Sequence, residues 1–414
     1  MKQRSLLVVL GPGMLYAAAA VGVSHLVQAT RAGADYGLAL VTIIFLACIL
    51  KYPAIRFGVD YASITRRSLV SNYRSQGLGV FVLYALSQVF SMVFVIAAVS
   101  LLTAGLIQAS LGIDVQPLVG VVALLAGTVA LLAFGNYKWL ERVTKFIVGA
   151  FTVLIVAAVT LVAGDLSWAN SNVVPPQFDI PTWFFIIALI GFMPTPADGS
   201  VLQSLWTVAK QEQDKETMHI DDARLDFNVG YIGSVLLAVG FIVLGAVLMH
   251  QPGIEVARGN VGFANQLFGL FTQSIGAWSF ALIALAAVFV MSSTLLAVFD
   301  GMARVVLAIR GEIVSNTTAR GDQYFYRFVL FILGGLAVLV LATLMQSFAA
   351  FMDMTSVIVF LISPLVAYLN HRAMFGTDIP LDQQPGKVMR VWSLVGVFSL
   401  LLLAVGYLYM RWLQ

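Results

Sequence analysis

Two short stretches place polar chemistry inside otherwise apolar runs. The first is Gly22-Val23-Ser24-His25; the second is Met193-Pro194-Thr195-Pro196-Ala197-Asp198. His25 and Met193 bring an imidazole and a thioether, two ligand types that suit transition metals. Ser24 and Thr195 bring hydroxyls, and Asp198 is the one carboxylate beside them. A histidine inside an apolar span, next to a break, reads as functional. One imidazole and one thioether nevertheless make a poor site for a doubly charged cation, whose desolvation demands compensating charge. Hydroxyl, imidazole and free backbone N–H donors suit a small, planar, monovalent oxyanion such as bicarbonate. Asp198 runs against that reading unless its carboxylate faces away or balances a coupled cation. Cys48 is the sole cysteine, which excludes an intrachain disulfide, a thiolate cluster and a cysteine-pair redox site.

The elements that must hold these residues are membrane helices. Of 414 residues, 60% are hydrophobic and 10% charged, with a mean hydropathy of +0.94. A soluble chain carries about 25% charged residues, so a soluble enzyme or nucleic-acid binder is excluded. Apolar runs predict an all-α polytopic membrane protein with eleven spans, near 6–31, 36–57, 78–111, 117–135, 140–163, 181–209, 226–249, 274–305, 326–347, 353–370 and 389–411. The stretch after Lys2 and Arg4 lacks a small-residue cleavage pattern and reads as the first span, not a signal peptide. Alternating the loops puts 20 of the 23 Lys and Arg residues on one side, with Lys51, Arg56, Arg66, Arg67 and Arg74 in the richest loop. The other side receives Arg31, Arg258 and Arg411. This predicts a protein of the plasma (inner) membrane with a cytoplasmic N-terminus and an outside C-terminus.

Both polar stretches interrupt their spans. Gly22 loosens the first, where Ser24 would cap a second half-helix with His25 in its first turn. Pro194 and Pro196 break the sixth, where Thr195, Pro196 and Asp198 suit the cap, first and third positions of a restarting helix. The breaks lie five spans apart. They predict a single transmembrane domain with repeat one at about 6–163, an inverted repeat two at about 181–370, and an additional helix at about 389–411. Paired interrupted helices point to a transporter's midplane site.

At these residues the chain resembles the Nramp family of divalent-metal transporters, which share the leucine-transporter (LeuT) fold. The resemblance rests on Gly11-Pro12-Gly13 followed by Ala32-Gly33-Ala34-Asp35-Tyr36-Gly37, on Arg56-Phe57-Gly58-Val59, Lys138-Trp139-Leu140-Glu141 and Met193-Pro194, and on Ser292-Ser293-Thr294. It implies a LeuT-like 5+5 inverted repeat with broken helices 1 and 6. The chain departs from the family at the chemistry. The family's metal-holding Asp-Pro-Gly-Asn is replaced by Gly22-Val23-Ser24-His25, its Met-Pro-His by Met193-Pro194-Thr195, and its second histidine by Ser200. Nothing ionisable lies between Arg74 and Asp114, where the family carries proton-moving acids on span 3. The expected substrate site is Gly22, Ser24, His25, Met193, Thr195 and Ser356. LeuT-fold relatives often hold sodium between first-span carbonyls and eighth-span hydroxyls. The equivalents here are the carbonyls of Ala20 and Val23 with Ser292, Ser293 or Thr294. No cofactor is expected beyond Na+ as a coupling ion.

Other polar residues have plain readings. Gln88 and Ser91 on span 3 fit helix-to-helix bonding as well as substrate contact. Asp300 and Arg304 are spaced for an ion pair, and Asp353 marks a span boundary. The leading function is a secondary active transporter of a small inorganic ion in the bilayer, with bicarbonate as the favoured substrate and sodium as the candidate coupling ion. The alternatives are a Mn2+ or Mg2+ carrier and a transport-dead sensor or channel on the same scaffold. No enzyme motif is present.

Overall fold

A computed structural model describes residues 11–134, 137–166, 178–214, 219–314 and 317–413. Lys2 and Arg4 fall outside these residues, and the side chains of Lys138-Trp139-Leu140-Glu141 fall outside the description. The described residues form helices and connecting turns, with no strand among them. Hydrocarbon leaves a spanning backbone few other ways to pair its own N–H and C=O groups.

The first segment is α1 (Pro12–Ala20), a π-helical stretch (Ser24–Ala29) and α2 (Thr30–Tyr36). Then come α3 (Val41–Thr65), α4 (Leu69–Ser75), α5 (Leu78–Leu111), α6 (Pro117–Phe134) and α7 (Tyr137–Val162). The second half holds α8 (Ile180–Phe192), α9 (Gly199–Asp214), α10 (Ile220–Gly245), α11 (Asn260–Ile275), α12 (Phe280–Gly311), α13 (Ala319–Leu344) and α14 (Phe348–Met374). It is followed by α15 (Lys387–Trp412). Among the described residues, seven helical stretches are long and apolar enough to cross a membrane, and Pro117–Ala133, Gly149–Asp165 and Ile180–Phe192 are shorter apolar helices.

Three local differences from the sequence reading have physical causes. The second span does not stop at residue 57 but continues to Thr65 and ends where Arg66 turns left-handed. Lys51 is therefore no loop residue; it lies mid-helix and is fully buried. Residues 260–275, read as part of a loop, form α11, which buries Phe263, Leu267, Phe268 and Phe271 on one face. At 16 residues it is too short to span hydrocarbon.

Helix α5 is the bundle's axis, packed against α6, α11, α12, α13 and α14. Its side chains from Met92 to Leu106 are buried without interruption. The outer face is apolar too. Phe328, Phe331 and Leu339 on α13, and Phe398, Leu402 and Val405 on α15, are exposed, as lipid contact requires.

The broken first segment is held against α10 by backbone-to-backbone approach. A Cβ added at Gly33 would lie 2.1 Å from the Ile242 carbonyl oxygen, and one at Gly245 would lie 2.4 Å from that of Thr30. Small residues at such crossings let membrane helices reach van der Waals contact. Gly33→Ala is therefore expected to force α2 from α10 at a cost of about 1–3 kcal/mol, read as a lower melting temperature in detergent. Gly79→Ala, which meets nothing within 4 Å, is the neutral control.

Candidate functional site

The first break leaves helix ends that must find partners inside the bundle. α1 closes with Val21 N–H on the Ala17 carbonyl, and the chain restarts with His25 and Leu26 N–H on the Gly22 carbonyl. Ser24 does not cap the restarting helix; its hydroxyl bonds backward to the Ala20 carbonyl at 2.7 Å. The Gly22 N–H reaches that same carbonyl at 2.8 Å. His25 Nδ1 lies 2.7 Å from the Ser24 hydroxyl, and Nε2 donates to the Ser234 carbonyl on α10 at 2.8 Å. Both ring nitrogens are thus engaged within the protein, and His25 is fully buried.

The second break is longer. α8 ends at Phe192, and α9 restarts only at Gly199, because Pro194 and Pro196 supply no N–H. Thr195 therefore sits ahead of the helix start, its hydroxyl on the Pro196 carbonyl at 2.8 Å, and Asp198 immediately precedes α9. The Asp198 carboxylate accepts from Gln88 Nε2 of α5 at 2.9 Å. At the end of α8, the Ile190 and Gly191 carbonyls both accept from Lys51 Nζ at 3.0 Å.

Both breaks open onto one cavity of about 50 Å³. Ala20, Val23 and Ser24 line it from the first segment; Thr195, Asp198 and Gly199 line it from the second. α5 and α12 complete the wall with Val95, Val99, Thr294 and Met302. Asp198 is the one charged residue in this lining. Tyr16 is also in the wall, beside Thr195; the Tyr84 hydroxyl and the Gln88 amide oxygen are buried without a hydrogen-bond partner.

The expected site residues divide on this geometry. Ser24 and Thr195 border the cavity together with Asp198, whereas His25, Met193 and Ser356 are absent from its lining. Gly22 lies against α12, where a Cβ would meet Thr294 Cγ2 at 3.0 Å. Of the sodium candidates, Ala20, Val23 and Thr294 meet at the wall. Thr294 bridges the Ala18 and Val290 carbonyls at 2.8 and 3.0 Å. Ser293 bonds within its own helix, and Ser292 lines a different hollow against α6.

A polar clamp joins the first segment to α14. Arg31 holds Asp353 through two bonds at 2.6 and 3.1 Å. Gln28 Nε2 lies 3.1 Å from Asp353 and 2.9 Å from Ser356, so the Ser356 hydroxyl serves the clamp. The Arg31 guanidinium lies 5.0 Å above the Phe185 ring of α8. Gln28 and Tyr16 escaped the sequence reading, and Lys51 entered it only as a loop charge. A lysine inside an apolar run was a visible signal for Lys51; Gln28 and Tyr16 offered none beyond their proximity to the break.

The chain matches the family described as "Nramp: Natural resistance-associated macrophage protein-like" over residues 13–410. It is 32% identical over 366 residues to an uncharacterised protein of Pasteurella multocida (strain Pm70), covering 87% of this chain and 83% of that protein. Among solved structures it is similar to a point mutant of the Eremococcus coleocola manganese transporter. That match has 13% identity and a TM-score of 0.72, over 98% of this chain and 87% of that one. It is also similar to MhsT in complex with L-phenylalanine, with 13% identity and a TM-score of 0.68, over 96% and 97% of the two chains. These likenesses establish a LeuT-type fold.

The ring of His25 joins the first break to α10 through the Ser234 carbonyl. His25→Ala strands that buried carbonyl and is expected to cost about 1–3 kcal/mol. Thermal unfolding in detergent checks it: a melting temperature equal to wild type would remove His25 from the supports of the break.

Proposed function

The chain belongs to the Nramp family, and on that premise we propose that it is a secondary active transporter of a small inorganic ion. Transport proceeds by alternating access around the cavity between the two breaks. The observation that carries this reading is the meeting of two interrupted segments at one small cavity, the arrangement in which half-helix ends face a transported ion. The Arg31–Asp353 clamp then acts as a closure on one side of that cavity. In a Cys48→Ser background, Arg31→Ala is expected to raise the labelling rate of Ser24→Cys from the clamp side severalfold. An unchanged rate would mean that the clamp is not a closure.

The substrate that fits best is a load of low net charge. The lining offers one carboxylate, and among the described residues no three His, Cys, Asp or Glu side chains gather as a metal site. Desolvating a doubly charged cation against one carboxylate leaves a charge unbalanced. One monovalent cation at Asp198 leaves none. The Tyr16 hydroxyl offers a donor to a small oxyanion such as bicarbonate, and the Ser24 and Thr195 hydroxyls, which here donate to the Ala20 and Pro196 carbonyls, can join it only by turning from them. Sodium at Asp198 with bicarbonate is the reading we adopt, the anion's charge being met by the N–H donors of the half-helix ends.

A divalent metal is the second reading. It is favoured by Asp198 itself, by the family, and by the fold shared with a manganese transporter. Proteoliposome uptake of labelled bicarbonate and of Mn2+, each with and without an inward sodium gradient, separates the two. Sodium-stimulated bicarbonate uptake, reduced about tenfold by Asp198→Asn, is expected; that factor corresponds to about 1.4 kcal/mol of ion binding. Mn2+ uptake without bicarbonate uptake would overturn the anion reading and make Asp198 the metal's carboxylate.

A further inference from the structure

The face of α5 that walls the cavity continues past it. Val99 and Val95 line the cavity, and the same helical stripe runs on through Ser91, Gln88 and Tyr84. The apolar wall thus passes into a polar one along a single helix face. All three polar residues are buried, Gln88 to 2% exposure. The Ser91 hydroxyl is already taken, donating to the Gln88 backbone carbonyl at 3.0 Å. Gln88 Oε1 and the Tyr84 hydroxyl are not: both are buried without a hydrogen-bond partner. A buried polar atom left unpaired destabilises the fold, and an absent ion is one recognised reason for such an atom.

Gln88 also touches the cavity's carboxylate. Its Nε2 donates to Asp198 Oδ2 at 2.9 Å, joining α5 to the start of α9, and Asp198 is the one charged residue of the lining. The two ends of the amide are unlike. The N–H end meets the carboxylate with partial positive charge, as a cation would. The oxygen end is a ligand that hard cations accept from glutamine. A cavity of about 50 Å³ admits few waters, so a cation at Asp198 must take further oxygens from the protein. Gln88 Oε1 belongs to the planar group already at the carboxylate, and a turn of the amide about its last bond exchanges its two ends.

We propose that Gln88 is a ligand of the coupling cation. With the site empty, its amide nitrogen caps Asp198; with the cation bound, the amide turns and its oxygen joins the carboxylate around the ion. α5 and α9 are then tied together in both states, first by the amide and then through the ion. This deepens the reading of sodium at Asp198, on which it rests, by naming the side chain that completes the site.

The test is binding of radiolabelled Na+ to purified full-length protein in detergent. Gln88→Leu, which keeps the bulk and removes both ends of the amide, is expected to bind Na+ at least about tenfold more weakly than wild type. Na+ should raise the melting temperature of the wild type and leave that of Gln88→Leu where it was. Ser91→Ala, on the same stripe, should bind as wild type does. Gln88→Lys should bind no Na+, because its ammonium takes the ion's place. Gln88→Met carries the expectation of Gln88→Leu should the latter fail to give monodisperse protein. Equal Na+ affinity in wild type and the apolar variants would overturn the role of Gln88 and leave sodium at Asp198 standing. A wild type that binds no Na+, or whose binding survives Asp198→Asn, would overturn both.

Discussion

Every backbone amide freed at a helix break in hydrocarbon must be satisfied by the protein itself, since the surrounding lipid offers it nothing. Much of this molecule's interior follows from that demand at two places. At the first break the Ala20 carbonyl takes two donors, from Gly22 and Ser24, and the ring of His25 ties the restart to α10. At the second, Lys51 receives the end of α8, while Gln88 fixes the carboxylate at the start of α9. Ser24, His25, Lys51 and Gln88, polar side chains in an apolar chain, serve these ends. The cavity is the space left between them.

The same logic extends to the far ends of the segments. Pro12 opens α1 at a position where its missing N–H is no loss. The Asp226 carboxylate of α10 accepts from the Gly11 and Gly13 N–H groups at 3.1 and 2.7 Å. Nearby, Asp60 of α3 is fully buried and is held by Arg224 of α10 at 2.8 Å and by Arg56 at 3.2 Å. Single-partner removal at a buried ion pair is costly because it leaves the other charge stranded. α1, α3 and α10 are accordingly fastened at one end by charge, while the clamp of Arg31 and Asp353 fastens the first segment to α14 at the other. Between these two fastenings the first segment is thinnest, at the unhelical residues before Ser24.

The fold was legible because its signals are coarse and physical. Apolar run length marked most of the helices, and paired breaks five spans apart, with the ordered motifs, pointed to the LeuT-type arrangement. The site was legible only in outline. Ser24, Thr195 and Asp198 were found because a break shows in the sequence as Gly or Pro beside polar residues. Their roles were not, since a serine reads alike whether it caps forward or bonds backward. Ser356 took its place by answering Gln28, a pairing 328 residues apart that no local pattern records. Lys51 was misplaced for a related reason. Counting basic residues by loop treats every lysine near a span end as an address label, whereas this one answers two carbonyls more than a hundred residues downstream.

The size of the cavity has its own consequence. About 10–15 Å³ of space open to a water-sized probe admits one water, so a cavity of about 50 Å³ lets an ion keep a few waters at most. An occupant cannot bring a complete first hydration shell. Entry in this conformation is therefore a dehydration step, and ions with tightly held water meet the steepest climb. Discrimination among solutes of like charge then begins with how readily each sheds its shell, before any side chain has touched it.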